Sequence, residues 1–180
     1  MLTLLVTPAA AHHPMGGKLP STLWEGALSG FGHPIIGLDH FAAVVAVGCL
    51  AALHRTGAAL AIGYVLATMV GAAIHVQGAT LPAAEALVAL SVVALGIVLM
   101  RRTSLDLVPA LALFVVAGLL HGYALGEAIV GAEPTPLFAY FAGLALVQSV
   151  IAIGIMLAAR MVLQPVASEL APVPEWSASA

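Results

Sequence analysis

Five apolar stretches, residues 36–53, 58–76, 81–100, 107–125 and 136–163, set the limits on what this chain can fold into. Each approaches or exceeds the ~20 residues that a helix needs to cross ~30 Å of hydrocarbon. A sixth stretch, 21–31, is apolar but too short to span, and reads as a half-helix leaning on the first span. Of 180 residues, 62% are hydrophobic and 7% charged; a soluble domain has roughly a quarter of its residues charged. Too little polar surface remains to solvate a globule. The expected fold is all-α, a polytopic membrane helix bundle over residues 21–163 with five full spans plus one short N-terminal half-helix.

The few charges exclude several functions. The basic residues are Lys18, Arg55, Arg101, Arg102 and Arg160, with no cluster that could neutralise a row of phosphates, so nucleic acid is not a partner. Lys18 has neither the spacing nor the Ser/Thr of a phosphate-binding loop, which removes ATP hydrolysis by that route. No span holds a lysine for a retinal Schiff base. Cys49 stands alone, so disulfide frameworks, Cys-rich zinc sites and covalent haem attachment are excluded. Nothing reads as catalytic. Against this poverty stand seven histidines, more than all Lys and Arg together.

The flanks and the arginines give an orientation. Residues 1–11 read as a short, truncated-looking signal peptide, apolar at 2–6 with small residues at Ala9, Ala10 and Ala11 for cleavage. The alternative is an N-terminus lying on the membrane surface. Residues 12–20 form a His-containing periplasmic N-terminus, and 164–180, with Pro165, Pro172 and Pro174, a disordered cytoplasmic tail. Arg55, Arg101, Arg102 and Arg160 fall on alternate connections, while 77–80 and 126–135 hold no basic residue. The positive-inside rule then puts the N-terminus outside and the C-terminus in the cytoplasm.

With that orientation His33, Asp39, His40, His75, His121 and Glu127 gather in one outer layer, and only His54 among the span histidines falls on the cytoplasmic side. Ionisable groups in membrane spans are costly and usually line a polar pathway. Imidazole with carboxylate and no thiolate suits Ni²⁺, Co²⁺ or Zn²⁺, and no organic cofactor is expected. Gly30, Gly32, Pro34 and Gly37 interrupt the chain beside His33, Asp39 and His40 and are expected to break the helix there. An ordinary capped turn is the plainer alternative for that segment. Gly118, Gly122 and Gly126 form a doubled G-x-x-x-G around His121, a face for a neighbouring span or for a second copy in a homo-oligomer. Glu127 joins the layer only if the helix ends near Gly126. His12 and His13 would form a chelating mature N-terminus after cleavage at Ala11, or do nothing in a loose tail. His54, Glu85 and Asp106 read as helix-end residues. Gln148 could bond across the bundle or offer an amide oxygen to a passing ion.

His33-Pro34-Ile35-Ile36-Gly37-Leu38-Asp39-His40, followed by Ala46-Val47-Gly48, resembles the H-P-x-x-G-x-D-H…A-V-G signature of the HupE/UreJ proteins. His121-Gly122-Tyr123-Ala124-Leu125-Gly126-Glu127 is similar to that family's second signature, although members commonly carry a histidine where this chain has Leu125. The resemblance covers most of the chain outside the Pro-rich tail. It implies a bacterial inner-membrane nickel permease associated with hydrogenase or urease maturation proteins. His33, Asp39, His40, His121 and Glu127 carry over to it by motif; His75 rests on topology alone.

The reading is therefore a multi-pass secondary permease that takes a divalent metal, Ni²⁺ before Co²⁺, into the cytoplasm as its substrate. Two alternatives stand beside it. One is a b-type cytochrome holding haem between His75 and His121. The other is a non-transporting scaffold presenting metal to a maturation partner.

Overall fold

The computed structural model describes residues 18–101 and 105–169, with side chains as far as residue 163. The expected signal peptide at 1–11, His12, His13 and the 170–180 part of the tail lie outside the described residues. Within them all regular structure is helical: α1 (Leu23–Ile36), α2 (Leu38–Ala51), α3 (Gly57–Val76), α4 (Ala84–Met100), α5 (Leu107–Gly126) and α6 (Pro134–Glu169). A short 3-10 turn, Glu127–Ile129, follows α5.

Helix α1 starts where its sequence says it should. Thr22 Oγ1 accepts from the Glu25 backbone N–H at 3.1 Å, and Glu25 Oε2 accepts from the Thr22 N–H at 3.2 Å, a reciprocal cap. The expected half-helix of 21–31 proves longer, and the break expected within Gly30–Gly37 falls at its far end. The helix runs on through Gly30, Gly32 and Pro34 for 14 residues and breaks only at Gly37. Gly30 serves packing instead, since a Cβ there would collide with the Tyr140 carbonyl of α6. Pro34 lies in the last turn, where it removes one backbone donor without ending the helix. At Gly37 the axis turns by 77° into α2. A Cβ at Gly37 would sit 2.7 Å from His40 Cδ2, so a larger residue would displace that ring.

The first expected full span is thus not one helix. α2 has 14 residues, about 21 Å, too short to cross hydrocarbon. Gly26 and Gly30 of α1 abut Pro136 and Tyr140, and Gly48 of α2 abuts Ala152 and Ile155. The contacts advance along α6 in one direction, so α1 and α2 together form a broken span parallel to α6. α3 and α5 are parallel too, because Gly118, Gly122 and Gly126 meet Tyr64, Thr68 and Ala72 in that order. α4 must then carry the chain back between them, and the chain traverses the bundle five times. Three traverses are helices long and apolar enough to cross a membrane alone, at 57–76, 107–129 and 134–163, and the bent pair makes a fourth. α4, with 17 residues, is the shortest. A multi-pass membrane bundle follows, with one span broken rather than five unbroken spans. α6 also continues to Glu169, six residues into the region expected to be tail.

The doubled G-x-x-x-G is used inside the chain. A Cβ at Gly122 would collide with the Thr68 backbone, so α3 occupies that face and a homo-oligomer would need another. The outward surface is apolar, with Leu66, Val93, Val116, Leu146, Val150 and Leu157 all exposed, as lipid requires. Glu25, Glu85, Glu127 and Glu133 sit where α1, α4 and α6 begin and α5 ends, one common end of the bundle. Arg55, Arg101 and Arg160 lie toward the opposite end, with Asp106. We call these the acidic and the basic end.

Candidate metal centre

The break at Gly37 delivers His33 from the last turn of α1 and His40 from the first turn of α2 into the bundle, where α5 supplies His121. His33, His40 and His121 are 4%, 6% and 0% exposed, so each polar ring atom must find a partner inside the protein. His121 is five residues from the end of α5, Ser91 seven from the start of α4 and Tyr140 six from the start of α6. At 1.5 Å per residue the cluster lies about 8–10 Å below the acidic end.

His40 Nδ1 and His121 Nδ1 are 2.8 Å apart, with the rings near-perpendicular and their centroids 5.0 Å apart. The hydrogen bonds around them fix the donors. Ser91 Oγ donates to the Val88 carbonyl at 2.7 Å, so in its 3.0 Å contact with His121 Nε2 the ring nitrogen donates. One proton lies between the two Nδ1 atoms, and at most one of the two rings is cationic. The other nitrogen of His40, Nε2, faces Asp39 Oδ1 at 3.9 Å. Asp39 also accepts from the His40 backbone N–H at 2.9 Å, which fixes its carboxylate at the head of α2. With 42% of its side chain exposed, Asp39 sits at the rim of a cluster otherwise closed.

His33 is held in the same way. Tyr140 Oη donates to the Leu125 carbonyl at 2.6 Å and so accepts from His33 Nδ1 at 3.1 Å. The lone pair of neutral His33 is then on Nε2, with the ring edge-on to His40 at 5.8 Å between centroids. Leu125, the position where the second signature departs, contributes this backbone carbonyl.

Of the six residues expected in the outer layer, four converge: His33, Asp39, His40 and His121. The other two do not join them. His75 stacks on Tyr123 at 4.2 Å and its Nδ1 donates to the Tyr123 carbonyl at 2.8 Å. Glu127 begins the 3-10 turn and is exposed. α5 does end at Gly126, as required, yet the following turn carries the Glu127 side chain out of the bundle. His121 has both nitrogens engaged by His40 and Ser91, and the His75 ring lies on Tyr123, so these contacts do not oppose the two imidazoles as a haem pair. Among the described residues no group of three or more His, Cys, Asp or Glu is drawn together tightly enough to hold a metal ion. What is assembled is a two-imidazole contact with a carboxylate and a third imidazole beside it.

Sequence reasoning missed Ser91 and Tyr140. Each had a signal: Ser91 is the lone hydroxyl in apolar α4, and Tyr140 lies nearly two turns inside α6. A polar group placed so deep in a span faces the bundle interior.

The HupE / UreJ protein family model matches residues 1–173. The chain is similar to Protein HupE of Rhizobium leguminosarum bv. viciae, 30% identical over 127 residues, 69% of this chain and 64% of that relative. It thus spans somewhat less than two thirds of that relative's length. No solved structure matches. The two signatures meet at His40 and His121, and the match runs nearly end to end: the chain belongs to the HupE/UreJ family.

Proposed function

We infer that this protein is a secondary permease for a divalent transition metal, Ni²⁺ before Co²⁺, which it takes as substrate through the cluster at the Gly37 break. The observation that carries the reading is the 2.8 Å contact of His40 and His121. Two cis nitrogens bound to one metal at ~2.1 Å stand ~3.0 Å apart, so the spacing suits a shared metal once the proton between the rings leaves and the rings turn their lone pairs toward a common point. Histidines that bind metal donate their second N–H to a carboxylate, carbonyl or other acceptor. Ser91 stands ready for that at His121 Nε2 and Asp39 at His40 Nε2. His33 supplies a third imidazole, and Asp39 offsets the ion's charge.

The acidic end, rich in carboxylates, faces outside in this reading, and the arginines of the basic end face the cytoplasm. Glu127 and His75 then stand at the entrance and help gather cations rather than ligate them. With no ATP site, an inside-negative potential favours entry of a dication by about 4.6 kcal/mol per 100 mV. The membrane would be the bacterial inner membrane, and the metal would serve hydrogenase or urease maturation.

The test is uptake of radioactive nickel and cobalt by proteoliposomes. Wild-type vesicles should accumulate metal, while His40→Ala and Asp39→Asn fall to the background of empty vesicles with expression near normal. Uptake retained in both variants would refute the site. Metal bound but never moved would instead favour the presenting scaffold, and a Soret band from purified protein the cytochrome.

A further inference from the structure

A cation released from His40 and His121 toward the basic end meets an interior that is almost wholly apolar. Val44, Val47, Leu60, Leu95, Phe114 and Met156 fill it, each 5% exposed or less. Below the histidine level the buried polar side chains among the described residues are Tyr64 and Gln148, 0% and 1% exposed. Tyr64 Oη and Gln148 Oε1 are also the two buried side-chain polar atoms that make no hydrogen bond of ordinary geometry among the described residues, the Thr68 hydroxyl being only loosely in reach of Tyr64. Burying an oxygen without a partner costs free energy, so such an atom calls for a water, an ion or a functional role.

Their depths continue from the histidines toward the basic end. α6 buries a stripe at four-residue spacing, Tyr140, Leu144, Gln148, Ala152 and Met156. Tyr140 is bonded to His33, and Gln148 lies eight residues, about 12 Å, farther toward the basic end. α1 meets this stripe at Tyr140 and Leu144, and α2 approaches α6 at Ala152, so Gln148 lies at the register where the broken span changes helices. On α3, Thr68 stands opposite Gly122, beside His121, and Tyr64 one turn lower opposite Gly118. The Tyr64 ring is 6.5 Å from that of His121 between centroids.

We propose that Tyr64 and Gln148 form the inward station of the metal path, receiving the cation from the imidazoles and passing it toward the basic end. This rests on the permease reading above. The chemistry suits a station rather than a trap: a phenol and an amide offer neutral oxygen, which holds these metals less firmly than imidazole. Conduction needs sites strong enough to enter and weak enough to leave.

Tyr64→Phe and Gln148→Leu remove the oxygens and keep the bulk. Uptake into proteoliposomes should fall about tenfold in each variant, and further in the double variant. Calorimetric titration with Ni²⁺ should show unchanged affinity, and the melting temperature of Gln148→Leu should stay near the wild-type value, because Oε1 has no partner to lose. Wild-type uptake by the double variant overturns the inference. So does a melting temperature or a metal affinity that falls in step with uptake, since the two residues would then be structural. Wild-type protein that binds metal without moving it sinks the permease reading, a result separate from normal uptake by the double variant.

Discussion

The two halves of the interior are held together by different forces. Toward the acidic end, His33, His40, His121, Ser91 and Tyr140 are each fixed by hydrogen bonds in contacts of 2.6–3.1 Å. Toward the basic end, Val47, Leu60, Leu95 and Phe114 are fixed by contact alone. In lipid the second arrangement suffices for folding, because packing rather than exclusion of water joins membrane helices. The first is costly to build, and its geometry is directional. The difference teaches that apolar packing is spread through the lower half, while directional polar contacts are concentrated in the upper.

The sharpest way to break that comparison is to cut each half once. His121→Gln should abolish metal binding and uptake in a protein that still folds. Phe114→Ala should lower stability by about 2–3 kcal/mol, the cavity share of such a truncation, yet leave uptake per folded molecule within about twofold. Calorimetric metal titration together with thermal melting reads both. Loss of uptake at Phe114 with normal melting would erase the division between the halves.

A smaller effect sharpens the division within the upper half. Ser91 touches no metal in the proposed centre but orients His121 through Nε2. Ser91→Ala should weaken metal affinity about 10–100-fold, the usual cost of losing a partner that orients a ligand. Ser91→Thr, which keeps the hydroxyl, should restore most of it. Equal affinity in Ser91→Ala would mean that His121 Nδ1 is aimed by helix packing alone.

Much of this was legible from the chain because lipid leaves few options. Apolar length gave the helices, and costly imidazoles pointed to His33, His40 and His121. Of the expected interruptions only Gly37 breaks the helix, since Gly30 lets α6 approach and Pro34 is tolerated in the last turn. His75 and Glu127 were over-read, since residues sharing a depth need not share a direction. The Tyr123 ring that takes His75, and the 3-10 turn that takes Glu127 outward, depend on packing that periodicity does not encode.

The smallest expected effect tests whether histidine by itself means binding in this fold. His54 lies toward the basic end and is engaged through its backbone: its carbonyl accepts from Arg160 Nη2 at 2.5 Å. Arg160 Nε also donates to the Ala52 carbonyl at 3.4 Å, so one guanidinium of α6 ties down the carbonyls that close α2. His54→Ala keeps that carbonyl and should change stability by under about 0.5 kcal/mol, the range for positions away from special features, with uptake unaltered. Arg160→Ala removes the tie and should cost about 1–3 kcal/mol, since charged donors form the stronger hydrogen bonds. Melting curves of the two variants decide the point. A large loss at His54 with none at Arg160 would mean that the imidazole, not the backbone, is what the basic end uses, and would reopen that end as a place where metal is held.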